Sequence, residues 1–295
     1  MKTHLQGCYT AIVTPFLKDG SIDYQSFAGL LDFQINAGIT GIVICGSTGE
    51  AATLFDDEQT ELIRFTVAHV NKRCLVVGGA SSNNTRHAIK RAEIVSALGV
   101  DLILSTSPYY NKPSQTGIYE HYKAQSDASG VPIIAYNVPG RTGSNILPDT
   151  TLKLQELPKM AGVKEASANV VQVLTILKNR YRPDFYVWLG EDSHTIPMMS
   201  CGADGIISVV SNEIPAEMSK LVDLALNQDF KGASALFLKY LDLMEANFWD
   251  SNPIPVKYML SKMGKINEIY RLPLVPANDA VKTRLDSVAK GLGLY

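Results

Sequence analysis

Nowhere in this chain do two cysteines stand at CxxC spacing. Its four cysteines, Cys8, Cys45, Cys74 and Cys201, lie far apart, which indicates neither a zinc site nor a disulfide framework. The five histidines (His4, His69, His87, His121 and His194) are equally scattered and show no HExxH or facial-triad spacing, so no metal is expected. No sign of charge dominates: 27 Lys+Arg against 29 Asp+Glu give a formal net charge of -2. Without a basic surplus or a charged tail, a nucleic-acid partner is not expected. The apolar runs are far shorter than a membrane span, and the N-terminus lacks the basic-then-apolar layout of a signal peptide. The expectation is a cytosolic protein with no membrane partner.

What the chain does have is repetition. Its 295 residues are 46% hydrophobic and 19% charged, enough for one large core. Short β-rich apolar runs recur at 9–13, 41–45, 74–78, 102–105, 132–136, 160–164, 185–190 and 205–209. Segments of helical period fill the gaps at 24–36, 56–70, 84–98, 115–127, 148–156, 170–179 and 215–226, with a short further helix at 196–199. Asn84 and Pro148 stand where helices should begin, Asn84 as a cap and Pro148 in a first turn. Continuous apolar strands alternating with helices imply a parallel sheet covered by helices. Eight such units predict an α/β fold, a closed (β/α)8 TIM barrel, over residues 1–228. From 229 to 295 the alternation stops, and helices at 230–247, 255–263 and 278–290 predict a C-terminal helical extension that packs on the barrel's flank or serves a subunit contact.

In such a barrel, catalytic residues come from the C-terminal ends of different strands. The run Met160-Ala161-Gly162-Val163-Lys164 ends on a lysine. Such a lysine can simply turn into solvent. Desolvated in an apolar pocket, it instead has a lowered pKa and becomes a nucleophile able to form a Schiff base with a carbonyl. Strand two runs into Gly46-Ser47-Thr48-Gly49-Glu50, where two hydroxyls and glycine-flanked backbone N–H groups suit a small carboxylate, or form only a polar turn. Strand five ends at Tyr136, a buried phenol that either bonds a neighbour or shuttles protons beside an imine-forming lysine. Thr48 and Tyr110 would extend that proton path. Arg141, five positions on, either forks a carboxylate or makes a surface ion pair. Gly190 ends strand seven, and Ile207 lies where strand eight passes into Ser208.

Taken together, these segments resemble one family. Gly46-Ser47-Thr48-Gly49-Glu50, Pro108-Tyr109-Tyr110-Asn111-Lys112-Pro113, Tyr136-Asn137-Val138-Pro139-Gly140-Arg141-Thr142-Gly143, Gly162-Val163-Lys164-Glu165-Ala166 and Ser251-Asn252-Pro253-Ile254-Pro255-Val256-Lys257 are similar, in order, to the dihydrodipicolinate synthase family of class I pyruvate-dependent aldolases and lyases. The resemblance implies a lyase without a cofactor that condenses pyruvate with L-aspartate 4-semialdehyde in diaminopimelate and lysine biosynthesis. It implies Lys164 as the Schiff-base residue and Tyr136, Thr48 and Tyr110 as a proton relay. Ser47 and Thr48 would bind the pyruvate carboxylate, Gly190 and Ile207 would line the pocket with backbone groups, and Arg141 would hold the semialdehyde carboxylate. Ser47 departs from the second threonine many members carry there, but keeps the hydroxyl. The residue matching Tyr110 serves a neighbouring subunit in this family, which implies a dimer or a homotetramer built as a dimer of dimers.

Two rival readings share parts of this pattern. Another lyase of the superfamily, for N-acetylneuraminate or a keto-sugar acid, would share the lysine, the tyrosine and the Ser-Thr turn; Arg141 separates it. A catalytically dead barrel would have no need of the whole set. The resemblance also bears on regulation. Feedback-sensitive members bind lysine near the residues matching Ala51, Ala52, Asp56, Gln59, Asn83, His87 and Tyr109. Here His87 stands where those members place a glutamate, so weak or absent inhibition by lysine is expected, unless Asp56 supplies a substitute charge.

Overall fold

The computed structural model describes residues 5–295; His4 lies outside the described residues. Eight parallel strands close on themselves: β1 (Gly7–Ala11), β2 (Gly41–Ile44), β3 (Leu75–Gly79), β4 (Leu102–Thr106), β5 (Ile133–Asn137), β6 (Met160–Glu165), β7 (Tyr186–Leu189) and β8 (Gly205–Ser208). Strand β1 pairs with both β2 and β8, which completes the ring and leaves no open edge. The expected (β/α)8 barrel is the fold observed.

Alternation along each strand sorts the side chains into two layers. Tyr9, Ala11, Val43, Val77, Leu104, Ile134 and Trp188 point inward and fill the barrel. Their neighbours Cys8, Ile42, Val76, Ile103, Ile133 and Val187 pack outward against the helices. Polar residues caught in the outer layer are satisfied by helix glutamines. Thr10 donates to Gln34 Oε1 at 2.6 Å, and Ser105 to Gln125 Oε1 at 2.7 Å, as burial of a hydroxyl requires.

The covering helices are α1 (Tyr24–Asn36), α2 (Asp56–Val70), α3 (Thr85–Ala97), α4 (Gln115–Ala128), α5 (Pro139–Thr142), α6 (Pro148–Leu154), α7 (Val170–Asn179), α8 (Thr195–Met199) and α9 (Pro215–Leu226). Asn84 caps α3 by accepting from the Arg86 N–H, and α6 opens on Pro148, as anticipated. No helix among the described residues is long and apolar enough to cross a membrane.

Small departures from the expected boundaries have local causes. Strand β1 stops at Ala11 rather than Val13, because the Val13 N–H donates to the Asn212 side chain instead of a neighbouring strand. Strand β5 starts at Ile133, since Pro132 has no N–H to give. The short helix α5 was not anticipated; it sits inside the loop that carries Arg141.

The larger departure concerns the extension, α10 (Phe230–Ala246), α11 (Ile254–Lys262) and α12 (Asp279–Leu292). Flank packing is there, with α10 against α9, but the segment joining α10 to α11 also crosses the barrel mouth. Behind it, Lys257 on α11 reaches Glu50 Oε1 at 2.5 Å and the Thr14 carbonyl at 3.0 Å, with both charged side chains 0% exposed. Arg271 adds a two-pronged pair to Glu58, at 2.7 and 2.6 Å. The extension is therefore fastened to the loops after β1 and β2.

A prediction follows for the buried pair. Removing one partner strands the other charge without water, a loss of roughly 3–5 kcal/mol. Lys257→Met should therefore lower the midpoint of chemical unfolding strongly, and adding Glu50→Leu should return part of the loss. Equal, additive losses from the two changes would show that the ions do not depend on each other.

Candidate active site

Register brings the lysine and the tyrosine together. Tyr136 on β5 pairs directly with Lys164 on β6, and Lys164 pairs in turn with Trp188 on β7. Residues paired across a ladder face the same side, and Ile134 and Tyr136 belong to the inward layer. Lys164 thus projects into the barrel mouth, its Nζ 4.5 Å from the centre of the Tyr136 ring. It is 5% exposed, and no hydrogen bond or ion pair among the described residues holds its amine.

That isolation sets its chemistry. Burial pulls the Lys164 pKa down to about 8; Asp192 and Glu191 pull it back up, and Arg141 pushes it further down. At neutral pH roughly a tenth of the amine is then unprotonated, against well under a thousandth for an ordinary lysine. Tyr136 is pushed up to about 12, chiefly by burial, so it stands as a protonated phenol.

Gly190 makes room for the lysine. A Cβ there would lie 2.5 Å from Ala166 Cβ and 3.1 Å from Lys164 Cε, so a side chain at 190 would displace the lysine's stem. Gly79 does the same for the Ser-Thr turn: a Cβ at that position would stand 2.2 Å from the Cys45 carbonyl oxygen.

One cavity gathers most of the anticipated residues. Ser47, Thr48, Tyr136, Arg141, Lys164 and Gly190 all line it. The Thr48 hydroxyl accepts from Asn252 Nδ2 at 2.9 Å, and an Arg141 terminal N–H donates to the Asn252 carbonyl at 3.1 Å. Asn252 therefore joins the turn after β2 to the helix after β5. Two anticipated residues stand elsewhere. The Ile207 side chain is fully buried in the inner layer, and Val209, two positions on, lines the wall. Tyr110 is 89% exposed and does not line this cavity.

Glu191, Phe248 and Asn252 are among the lining residues that went unremarked as site residues in the sequence. Glu191 had a usable signal, since it follows Gly190 at the end of β7 as Lys164 ends β6. Phe248 and Asn252 had none from the barrel pattern, because they come from the segment that crosses the mouth. Chemically, the assembly offers a buried amine, a phenol beside it, paired hydroxyls and a guanidinium, which suits covalent capture of a small keto acid.

Comparison with known proteins gives a consistent result. Residues 4–292 match the dihydrodipicolinate synthetase family. A 4-hydroxy-tetrahydrodipicolinate synthase from Koribacter versatilis (strain Ellin345) is 45% identical over 291 residues, covering 98% of this chain and 97% of that protein. Among solved structures, the chloride-inhibited dihydrodipicolinate synthase from Acinetobacter baumannii, complexed with pyruvate, superposes with a TM-score of 0.96 at 40% identity. It covers 99% of this chain and 100% of its own. The enzyme from Cyanidioschyzon merolae with lysine bound gives a TM-score of 0.96 at 36% identity, with full coverage of both chains.

The amine's lowered pKa makes a pH prediction. Only the unprotonated amine attacks a carbonyl, so reductive trapping of a small 2-keto acid on Lys164 should quicken nearly tenfold per unit below pH 8 and level off above it. Trapping that keeps rising to pH 10 would show an ordinary lysine. Full trapping in Lys164→Ala would place the nucleophile elsewhere.

Proposed function

The chain belongs to the dihydrodipicolinate synthetase family, and from that premise we propose that it joins pyruvate to L-aspartate 4-semialdehyde, forming 4-hydroxy-tetrahydrodipicolinate for diaminopimelate and lysine biosynthesis. The observation that carries this reading is the buried, uncommitted Lys164 amine against the Tyr136 ring, in a cavity that also holds Ser47, Thr48 and Arg141.

The chemistry follows from those positions. The Lys164 amine attacks the pyruvate ketone, and loss of water leaves an imine. Tyr136 stands close enough to pass protons during that addition and elimination, with Thr48 next along the path. The imine withdraws electrons from the methyl group, a proton leaves, and the resulting enamine adds to the semialdehyde's aldehyde carbon. The semialdehyde's amine then displaces Lys164, which closes the ring and frees the enzyme. The lysine supplies the electron sink, so no cofactor is needed. Ser47 and Thr48 seat the pyruvate carboxylate at their glycine-flanked turn, and Arg141 receives the carboxylate of the second substrate.

Tyr110 enters this scheme through assembly. Its ring is exposed and its backbone is left-handed, with φ 72°, a strained posture for a non-glycine residue. In its own subunit it is not among the residues that line the cavity with Tyr136. A second copy docking against this loop would receive Tyr110 at its own site, and a homotetramer arranged as a dimer of dimers is the assembly we propose, working in the cytoplasm.

Where regulatory lysine would sit, the acidic side chain that could receive its ammonium is already paired. Asp56 does stand beside His87, but its Oδ2 lies 2.7 Å from His87 Nε2, and that bond holds the Asp56 carboxyl below its usual range. An incoming ammonium would have to compete with the imidazole. Asn83 is likewise engaged, donating to the Tyr109 carbonyl at 3.1 Å.

Three measurements test this reading. The purified protein should turn over pyruvate with L-aspartate 4-semialdehyde in a coupled assay and fail to cleave N-acetylneuraminate; the reverse result would assign it to another lyase. Arg141→Ala should weaken use of the semialdehyde by about tenfold to more than a hundredfold, the worth of a charge-assisted bond at about 1.5–3 kcal/mol, with pyruvate trapping nearly intact. L-Lysine below millimolar concentration should leave the rate unchanged, and inhibition in that range would mean that the effector site persists in another form.

A further inference from the structure

Two carboxyl groups follow Gly190 at the end of β7, and they have different fates. Asp192 is buried and committed to structure: its Oδ2 accepts from the N–H groups of Val209 at 3.0 Å and Val210 at 2.9 Å. It thereby fastens the loop after β8 that carries the lining residue Val209. Glu191 is uncommitted. Its backbone carbonyl accepts from the His194 N–H at 3.1 Å, but no hydrogen bond or ion pair among the described residues engages its carboxyl. Among the described residues lining the cavity, Glu191 is the only acid, and it shares that wall with Lys164 and Arg141.

The second substrate, on the reading above, carries an ammonium and a carboxylate on one carbon. Groups that recognise the two must therefore line one cavity and stand within a few ångströms of each other. Arg141 and Glu191 line the same cavity, have opposite signs, and stand near enough for the guanidinium to pull the Glu191 carboxyl down. We propose that Glu191 receives the ammonium of the amino-aldehyde while Arg141 receives its carboxylate, and that Glu191 takes the proton whose loss frees the amine for ring closure.

The electrostatic setting suits a proton acceptor. Burial pushes Glu191 up to about 7; Asp192 and, from α10, Glu245 push the same way, while Lys164 and Arg141 pull it down. A base poised near neutrality is matched to accepting and returning a proton at working pH. Arrival of an ammonium favours the ionised carboxylate, which prepares it for the transfer.

The step balances as follows. The Glu191 carboxylate takes one proton from the ammonium. The freed amine's lone pair bonds to the carbon of the protonated Lys164 imine, and the π pair moves onto the Lys164 nitrogen. One proton then passes from the new ring nitrogen to the Lys164 nitrogen, which departs as an amine with the old C–N pair. The ring nitrogen's lone pair forms the product C=N bond, and its remaining proton goes to the departing lysine. Glu191 returns its proton to solvent.

This inference rests on the proposed reaction, so its test separates the two. The unmutated protein must first turn over pyruvate and L-aspartate 4-semialdehyde; failure there overturns the reaction and this inference together. With turnover established, Glu191→Gln keeps the shape and removes the charge. It should lose affinity and rate for the semialdehyde by about tenfold to a hundredfold. Borohydride trapping of pyruvate should persist at neutral pH and quicken slightly, since loss of the Glu191 charge lowers the Lys164 pKa further. Succinate semialdehyde, which has the carboxylate and aldehyde but no amine, should bind the variant and the unmutated protein alike. Glu191→Asp should recover part of the loss. Equal weakening toward both aldehydes, no weakening toward either, or loss of pyruvate trapping would overturn the assignment.

Discussion

The ion pair between Lys257 and Glu50 is the constraint on which the rest of the site depends. Burying two charges is costly, and the cost is met only when each finds its partner and their spare hydrogen bonds are filled. Lys257 meets that demand by donating to both Glu50 and the Thr14 carbonyl while its ammonium stands 4.4 Å from the centre of the Phe16 ring. Arg271 brings its backbone N–H to the other Glu50 oxygen at 3.3 Å. The loop after β1, the loop after β2 and the C-terminal extension therefore take their places together. Glu50 closes the turn that presents Ser47 and Thr48, so the position of these two cavity-lining residues depends on a charge on α11. Asn252 repeats the arrangement on the cavity side, where one residue of the extension touches both Thr48 and Arg141.

Against that fixed frame, the Lys164 amine is tuned by its own lack of partners. Lys164 and Lys257 are both buried, yet their fates differ because one has a carboxylate at 2.5 Å and the other has none so close. Burial alone would favour a neutral amine at Lys164. Asp192 and Glu191 oppose it and Arg141 reinforces it, which leaves the group near neutrality rather than fully uncharged. In the mechanism proposed above, Lys164 attacks as an amine and later leaves as one, and that middle position suits both steps.

The barrel was legible in the sequence because its signal is spread over eight repeats, and errors of a residue or two at the ends of β1 and β5 did not disturb the count. That Lys164, Tyr136 and Arg141 would line one cavity was legible for a related reason: each stands at or just after a strand end, where a barrel gathers side chains at its mouth. Asn252 and Phe248 belong to a segment without strand or helix period, and only the three-dimensional path of the extension brings them over the mouth. The Lys257–Glu50 pair was hidden in the same way, since partners 207 positions apart leave no mark on local pattern. At the end of β8 the pattern located the strand but not the residue after it: Val209 lines the cavity, while the Ile207 side chain lies in the inner layer.

Backbone strain is distributed in keeping with this division. Non-glycine residues with positive φ include Cys45 and Glu50 after β2, Tyr110 and Lys112 after β4, and Ala168 after β6, all in loops at the barrel's mouth. Asn71, at φ 44°, caps the end of α2, where a left-handed residue is ordinary. A left-handed residue away from such a cap costs on the order of 1–3 kcal/mol and persists only where its surroundings over-determine it. Glu50 is held by Lys257 and Arg271, while the missing Cβ of Gly79 leaves space beside the Cys45 carbonyl. Tyr110 donates its N–H to the Thr142 carbonyl at 3.1 Å. Thr142 ends α5, the helix that carries Arg141. One hydrogen bond thus couples the outward reach of Tyr110 to the placement of the guanidinium, so a displacement of either loop is felt by the other.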